Sequence, residues 1–148
     1  MNLQLSPNNW SCLATSFAMI LGLPVSKVIE MVGHDGSEIV FPDQPEPSCR
    51  RSFHIQELID VCMSMLVTVT EIQRVPCMGP RNDEEFLVLE DDDRFFRYVR
   101  AHSGVLCGLT REGGYHAVAW DGEKIYDPKG FICDLSEFNP SVFYAVRY

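Results

Sequence analysis

Three residues that lie far apart in the sequence carry the side chains of a cysteine-nucleophile site. Cys12 begins an apolar segment with helical spacing, His116 lies in a strand-like run, and Asp127 follows one hairpin later. A helix N-terminus favours the thiolate form of a cysteine, an imidazole can take up the thiol proton, and a carboxylate can orient the imidazole. The three residue types therefore predict nucleophilic attack by Cys12, assisted by His116 and Asp127.

A predicted hairpin connects the histidine to the carboxylate. The dipeptide Asp121-Gly122 between two strand-like runs is typical of a two-residue turn. A turn at that point places Asp127 directly opposite His116, where the Cβ atoms of cross-strand neighbours are ~4.5–5.5 Å apart. An Asp before proline is also a common turn residue, and a lone strand histidine more often only packs in a core. The register favours the catalytic interpretation of both residues.

Other residues compete for these roles or complete them. Three further histidines lie in predicted loops or at helix ends, without a hairpin that carries a carboxylate: His34, His54 and His102. An oxyanion hole needs two donors, and the backbone N–H of Cys12 is one candidate. An upstream amide side chain is the usual second donor, and the candidates are Gln4, Asn8 and Asn9. Asn9 is equally suited to cap the helix.

The elements that must position these residues are predicted from periodicity and turn signals. Helices are expected over 12–21, 27–32, 55–65 and 91–101, and strands over 66–72, 104–110, 115–121, 124–126 and 142–148. Ser26 is expected to cap the second helix. The first helix should face the core with Leu13, Phe17, Ile20 and Leu21. The order indicates an α+β fold in a single domain, residues 1–148, with N-terminal helices packed on a C-terminal antiparallel sheet.

Length and composition are those of a globular protein. The chain has 148 residues and 46% hydrophobic content, enough to bury a core. No stretch approaches the ~18 apolar residues of a membrane span, and the N-terminus lacks the basic and apolar regions of a signal peptide. We therefore expect a cytoplasmic protein without a membrane partner.

The net charge of −9 is concentrated in one segment. Seven of the 21 acidic residues lie there, and they are Asp83, Glu84, Glu85, Glu90, Asp91, Asp92 and Asp93. The segment is predicted to be a solvated loop that leads into a helix, since carboxylates favour a first helical turn. No basic stripe accompanies it, which argues against a nucleic acid partner.

The six cysteines are scattered along the chain without a C-x-x-C pair. In a reducing compartment most are expected to be free thiols that pack as small apolar side chains. A zinc site formed by Cys49, His54, Cys62 and Cys77 lacks the paired ligand spacing of such sites. We expect no metal and no other cofactor.

Two segments carry a resemblance to a known family. They are Trp10-Ser11-Cys12-Leu13-Ala14-Thr15-Ser16-Phe17-Ala18-Met19-Ile20-Leu21, and Tyr115-His116-Ala117-Val118 followed by Asp127-Pro128. Together they resemble the papain-like cysteine peptidases that process bacteriocin leaders, in which a cysteine starts the first long helix and a histidine and an Asp-Pro follow on antiparallel strands. The resemblance implies a papain-like fold. It also implies that Cys12 is the nucleophile, His116 the general base and then acid, and Asp127 the orienting residue.

Two positions depart from the pattern of that family. The family has a glycine directly after the cysteine, where this chain has Leu13, and an oxyanion glutamine six residues before it, where this chain has Ser6. The leading hypothesis is a hydrolase that cleaves a peptide or isopeptide bond of a peptide or protein substrate through a thioacyl-enzyme. The alternative is a catalytically weak or inactive peptidase-fold protein that binds a partner, for instance through the loop 39–51.

Two further interpretations concern the surroundings of the site. We expect the substrate groove between the helical and sheet halves, lined in part by Trp10, Tyr115 and the loop 33–54. The charges of that loop, such as Arg50, are interpreted as solvated. A metal-dependent hydrolase that uses His34, Asp35 and His54 is the weakest hypothesis, because their spacing matches no ligand pattern.

Overall fold

Helices dominate the first half of the chain and strands the second. The computed structural model describes residues 1–74, 88–109 and 114–148, with residues 88–93 as backbone only. The helices are α1 Cys12–Leu21, α2 Val25–Val32, α3 Ile55–Ser64 and α4 Val88–Ala101. The strands are β1 Thr68–Gln73, β2 Gly104–Leu109, β3 Tyr115–Trp120, β4 Ile125–Asp127, β5 Phe131–Cys133 and β6 Asn139–Arg147. A 3₁₀ helix covers Leu135–Glu137.

Helix α1 has the predicted bounds but not the predicted burial. It ends because Gly22 takes the left-handed conformation, with φ 66°. Thr15, Ser16 and Met19 are buried although they lie off the predicted stripe, whereas Leu13 on the stripe is only half-buried. Helices α2 and α3 and the sheet pack around α1, so it is buried on all sides.

The start of α2 differs from its prediction, whereas α3 begins at Ile55 as predicted. Helix α2 begins directly after Pro24, so Ser26 lies inside the helix and does not cap it. Helix α3 is capped by His54, whose side chain accepts from Gln56 N while the Glu57 carboxylate accepts from His54 N. A proline suits a helix start through its fixed φ, and histidine is not among the preferred caps. Local preference therefore pointed to Ser26 for α2 and gave no signal for the cap of α3.

The strands form one antiparallel sheet in the order β1-β6-β2-β3-β4-β5. The antiparallel sheet was predicted, but the edge strand β5 was not, because three residues are too few to show an alternating pattern. Strand β6 begins three residues earlier than predicted and includes Pro140. Pro140 lies opposite Gly108, next to the register shift between Cys107 and Gly108. A proline is tolerated at such an irregularity, since a ladder N–H is not needed there.

Each face of the sheet carries its own core. The N-terminal helices pack on one face, which presents Ala117 and Ala119 of β3. Helix α4 packs on the opposite face through Phe95 and Val99, and this face presents Val118 and Trp120. Alternate residues of a strand point to opposite faces, so β3 contributes to both cores. The α+β class is confirmed, and α4 adds helical cover on the second face.

The acidic segment lies only partly within the described residues. Asp83, Glu84 and Glu85 lie outside the described residues, as do Cys77 and Thr110. Residues 91–93 lie in α4 as predicted, and Glu90 also lies in α4 because the helix begins at Val88, three residues earlier than predicted.

Within the described ranges no single helix has the length and hydropathy to cross a membrane. Taken together, α1 and α2 have the required length and hydropathy, but the two helices are bent by 112° at the break between them.

Candidate active site

Cys12 is the first residue of α1, directly after the N-cap residue Ser11. Its side chain is half-buried, and backbone groups of Leu13 and Ala117 hydrogen bond to it. Ala117 belongs to β3, so the thiol lies where the helix start meets the sheet. Backbone N–H donors and the helix N-terminus both favour the thiolate.

His116 lies on β3, opposite Gly108 of β2. On its other side β3 pairs with β4 only at Ala119 and Trp120. The edge of β3 at His116 therefore has no paired strand in the part of the chain that the structure describes. The buried imidazole hydrogen bonds to the Cys12 side chain at this edge. The fold thus brings together two residues that are separated by most of the sequence.

Asp127 is the third member of the group. His116 Nε2 lies 2.9 Å from Asp127 Oδ1, and both side chains are buried. The predicted register is wrong by two residues, because Ala119 pairs with Tyr126 and the loop spans 121–124 instead of a two-residue turn. A two-residue shift leaves a side chain on the same face. Asp127 is therefore a diagonal neighbour of His116, and the long imidazole side chain of His116 still reaches the carboxylate.

The surroundings of Cys12 and His116 shift the pKa values of both groups. Burial is the largest influence on the Cys12 thiol and opposes ionisation, but the hydrogen bond and charge of His116 and the backbone bonds outweigh it and lower the pKa below 9.0. Burial also opposes a charged His116, yet the bonds and charges of Asp127 and Cys12 raise its pKa from 6.5 to about 9. These directions favour a thiolate–imidazolium pair near neutral pH. Nε2 then donates to Asp127, and Nδ1 is left for Cys12.

Gln4, one of the three amide candidates for the oxyanion hole, lies at the wrong end of α1. Its Nε2 donates to Leu23 O at 2.7 Å, and its Oε1 accepts from Val25 N at 2.9 Å. Both partners follow the C-terminus of α1, about 15 Å along the helix axis from Cys12. Gln4 therefore links α1 to α2 and cannot supply the second oxyanion donor.

Asn8 is the candidate that lies beside the start of α1. Its Oδ1 accepts from Trp10 N at 3.1 Å and from Ser11 Oγ at 2.7 Å. A backbone N–H can only donate, so this contact identifies the oxygen end of the amide and makes Nδ2 the other end. No group in the described ranges accepts from Nδ2. Asn9 is exposed, and the N-cap of α1 is Ser11 rather than Asn9.

Trp10 connects the segment before α1 to the loop 33–54. Its Nε1 donates to Asp35 O at 2.9 Å, and Ser52 Oγ donates to Trp10 O at 2.7 Å. The Arg50 guanidinium carbon lies 4.8 Å from the centroid of the indole ring. Arg50 was interpreted as a solvated charge, but it packs on Trp10. The sequence carries no signal for Ser52, because its partner is 42 residues away.

Tyr115 lies next to His116 and is 63% exposed. Strand alternation places it on the same face as Ala117, which is the face that α1 covers. Its hydroxyl and that of Ser141 hydrogen bond to each other. The ring is therefore held in place and open to a ligand, whereas its role in substrate binding stays a prediction.

Three of the described thiols, Cys62, Cys107 and Cys133, lie in surroundings that suppress ionisation. Burial raises the pKa of Cys62 to about 11. Burial and the nearby Cys12 charge raise the pKa of Cys107 to about 12. Burial and acidic neighbours raise the pKa of the half-buried Cys133 as well. Compared with these three thiols, Cys12 has the lowered pKa that a nucleophile needs.

The other histidines have structural partners. His34 Nε2 lies 2.8 Å from Glu57 Oε1, and its Nδ1 accepts from Gly36 N at 3.0 Å. His54 caps α3, and Arg147 contacts His102 at 2.6 Å. No three His, Cys, Asp or Glu side chains of the described residues lie together as metal ligands. The hypothesis of a metal site at His34 and His54 therefore has no geometric support.

A cavity of about 1270 Å³ lies on the α4 side of the sheet. His116 and Asp127 contribute to its wall, and its apolar lining residues include Phe96, Trp120 and Phe131. Trp10 and Tyr115 are not part of this wall, because they belong to the α1 side. The His116–Asp127 pair is therefore accessible from a face other than the one on which the substrate groove was predicted.

Comparisons with known proteins do not assign the chain to a family. No protein-family model matches it, and no curated protein matches it. Any statement about function therefore depends on the geometry of the site.

Proposed function

We propose that the protein is a cysteine peptidase-like hydrolase of papain-like fold, which cleaves a peptide or isopeptide bond in a peptide or protein substrate. The observation that carries the proposal is the hydrogen-bonded chain from the Cys12 side chain through the imidazole of His116 to Asp127 Oδ1. A carboxylate at one ring nitrogen would also satisfy a buried histidine with a purely structural role, but a thiol with a lowered pKa beside the same ring is what a nucleophilic site requires. Both contacts favour the ionised pair that thiol catalysis requires.

In the proposed reaction the Cys12 thiolate attacks the carbonyl carbon of the scissile bond. The N–H of Cys12 and the Nδ2 of Asn8 stabilise the oxyanion, and His116 donates its proton to the leaving amine as the thioester forms. His116 then takes a proton from water, and the resulting attack on the thioester releases the carboxylic acid and restores Cys12. Asp127 keeps the imidazole oriented through both steps.

A cytoplasmic or otherwise reducing location suits this chemistry. The described cysteines outside 75–87 are all free thiols. An activated thiolate is the form of cysteine most susceptible to oxidation, and a reducing compartment keeps it available.

The first experiment measures the rate of alkylation of Cys12 by iodoacetamide between pH 5 and pH 10, with each thiol followed by peptide mass mapping. We expect Cys12 to react well below the ~8.5 pKa of a free thiol. In His116→Ala this low-pH reactivity should disappear, because the imidazolium partner is lost. Cys62 and Cys107 serve as internal references, since burial raises the pKa of both.

The outcome separates the two hypotheses on function. A Cys12 that labels as slowly as the reference thiols would contradict the hydrolase and favour a peptidase-shaped binding protein. If Cys12 is activated, a peptide library identifies a substrate, and Cys12→Ala should abolish its turnover without loss of folding. Turnover that persists in Cys12→Ala would exclude Cys12 as the nucleophile.

A further inference from the structure

A carboxylate and two tyrosines lie on the face of the sheet that α1 covers. Glu71 of β1 is directly opposite Tyr144 of β6, so the two side chains share a face. The ring of Tyr144 lies 6.5 Å from that of Phe17 in α1, which identifies the face. Tyr115 shares this face with Ala117, two residues along β3. All three groups therefore surround the sheet surface next to the helix that carries Cys12.

Among the described residues, none pairs with the hydroxyl of Tyr144. The residue is only 8% exposed, and its hydroxyl makes no hydrogen bond to any described residue. Ser16 Oγ is the one fully enclosed side-chain polar atom that lacks a partner in the described ranges. The Tyr144 hydroxyl consequently keeps contact with solvent. A buried tyrosine usually pairs its hydroxyl, so this one is positioned to bind a ligand.

Glu71 supplies a negative charge at the same place. Its carboxylate is exposed and accepts from Gln73 Nε2 at 2.7 Å. Burial raises the pKa of Tyr144, and the charges of Cys107, Glu71 and Tyr115 act in the same direction. Cys107 also interacts with Cys12. The interactions therefore form a continuous series from the nucleophile to Glu71.

The sheet geometry gives the distance that a ligand must span. Strands β3 and β1 are three positions apart in the sheet. At ~4.8 Å between neighbours they are about 14 Å apart, and an extended peptide covers that distance in about four residues at ~3.3 Å each. A side chain of the substrate can therefore reach Glu71 while its scissile carbonyl lies at Cys12.

We propose that Glu71, Tyr115 and Tyr144 form a subsite for a basic side chain, lysine or arginine, within about four residues of the scissile bond. The inference rests on the proposed hydrolase function. The carboxylate of Glu71 pairs with the cation, the free hydroxyl of Tyr144 accepts a hydrogen bond from it, and the exposed ring of Tyr115 offers its face. An acidic side chain is repelled by Glu71, and a neutral one gains neither the ion pair nor the ring contact.

The test uses iodoacetylated tripeptide amides that end in lysine, norleucine or glutamate. Their rates of alkylation at Cys12 are measured in the full chain, with iodoacetamide as the reference reagent. We expect the lysine probe to react about tenfold faster than the norleucine probe, as an exposed ion pair and a cation–π contact together allow. The glutamate probe should be the slowest. Equal rates for lysine and norleucine would overturn the subsite.

Variants assign the preference to the named groups. Glu71→Gln should remove most of the preference for lysine, and Tyr144→Phe should remove part of it. Glu30→Gln takes an equal charge from α2 and should leave the preference intact; a loss there as large as in Glu71→Gln would mean a general effect of net charge and would contradict the subsite. The preference is the ratio of the lysine-probe rate to the norleucine-probe rate in the same variant, so it can be measured even where Cys12 reacts slowly. The iodoacetamide rate alone decides whether Cys12 is activated, so failure of the subsite and failure of the hydrolase are distinguishable.

Discussion

At the scale of single residues, Asp127 uses one oxygen for two purposes. Its Oδ1 accepts from Lys129 N at 2.8 Å, which forms the turn after β4, and the same atom lies 2.9 Å from His116 Nε2. The sequence suggested a choice between a turn residue and an orienting carboxylate, and the structure shows both contacts. The turn holds the carboxylate in place, so little side-chain entropy is lost when it pairs with the imidazole.

Substitution of Asp127 should separate its charge from its geometry. Asp127→Asn keeps an oxygen acceptor for both contacts, and we expect activity within about tenfold of the wild type, since Cys-His-Asn sites also function. In the pH profile of kcat/KM, the alkaline limb of Asp127→Asn should move to lower pH, because loss of the carboxylate charge lowers the pKa of His116 from about 9. Asp127→Ala should lose up to the ~10²–10⁴ that acid–base catalysis supplies. The pH profile of kcat/KM on a screened peptide substrate measures both effects; an unchanged alkaline limb in Asp127→Asn would contradict the pairing.

Asn8 can be tested with an almost isosteric change. Asn8→Asp keeps the oxygen that accepts from Trp10 N and Ser11 Oγ, but it replaces the Nδ2 donor by a second oxygen. We expect kcat to fall by ~10²–10³, as for loss of an oxyanion donor, with a melting temperature close to that of the wild type. The measurement is kcat and KM together with thermal unfolding.

Gln4 and Asn9 provide the controls for that prediction. Gln4→Ala breaks the bonds to Leu23 O and Val25 N, so it should cost about 1–2 kcal/mol of stability and leave kcat unchanged. Asn9→Ala should affect neither quantity. A variant of Gln4 that loses kcat without losing stability would return the oxyanion role to that residue.

At the scale of elements, the hairpin between β3 and β4 determines how His116 meets Asp127. Asp121 organises the loop, because its Oδ1 accepts from Glu123 N and Lys124 N, each at 2.8 Å. This loop is longer than the predicted two-residue turn, and the pairing shifts by two residues as a result. Strand periodicity of two explains why the site survives the shift, since both residues remain on one face.

Strand β2 supports His116 from its other side through Gly108. A Cβ at this position would lie 2.2 Å from Asn139 O, a backbone atom that cannot move aside. Gly108→Ala should cost about 1–3 kcal/mol or more through overpacking. It should also slow Cys12 alkylation near pH 7, because displacement of β3 disturbs the imidazole. Thermal unfolding and alkylation rates measure the two effects.

Gly33→Ala is the matched control for Gly108→Ala. Gly33 has φ 90° and open space around its Cα, so alanine there should cost about 1–2 kcal/mol through backbone strain alone. It is the C-cap residue of α2, a helix that packs mainly on α1 and α3. If both variants lose stability but neither changes the reactivity of Cys12, the support of His116 by β2 is refuted.

At the scale of the whole molecule, the site couples catalysis to stability through two opposite titrations. The raised pKa of His116 contributes stability below about 6.5 that is lost as pH rises through about 9. The lowered pKa of Cys12 contributes stability above 9.0 that is lost as pH falls through its folded value. At pH values where both effects operate, His116 binds a proton on folding while Cys12 releases one. The two contributions to the slope of stability against pH therefore cancel.

Removal of the Cys12 thiol should reveal the contribution of His116 to the pH dependence of the unfolding free energy. In Cys12→Ala, Asp127 still raises the pKa of His116, so the unfolding free energy of the variant should fall relative to the wild type as pH rises from about 6.5 towards 9. The relative slope can reach ~1.4 kcal/mol per pH unit. Urea unfolding of both proteins at several pH values measures it. Parallel curves would show that the thiol and the imidazole are not paired in the folded chain.

Three features could be predicted from the amino-acid sequence alone: the start of α1 at Cys12, the strand that carries His116 and the α+β order of elements. These features follow from local periodicity and helix stop signals, which act over a few residues. The tertiary structure shows which amide lies at the start of α1, because Asn8 accepts from Trp10 N and Ser11 Oγ, whereas the partners of Gln4 are about 20 residues farther along the chain. It also decided the register of Asp127 and the placement of Glu71 opposite Tyr144. Contacts between distant segments depend on how whole elements pack, and no local pattern in a single sequence specifies them.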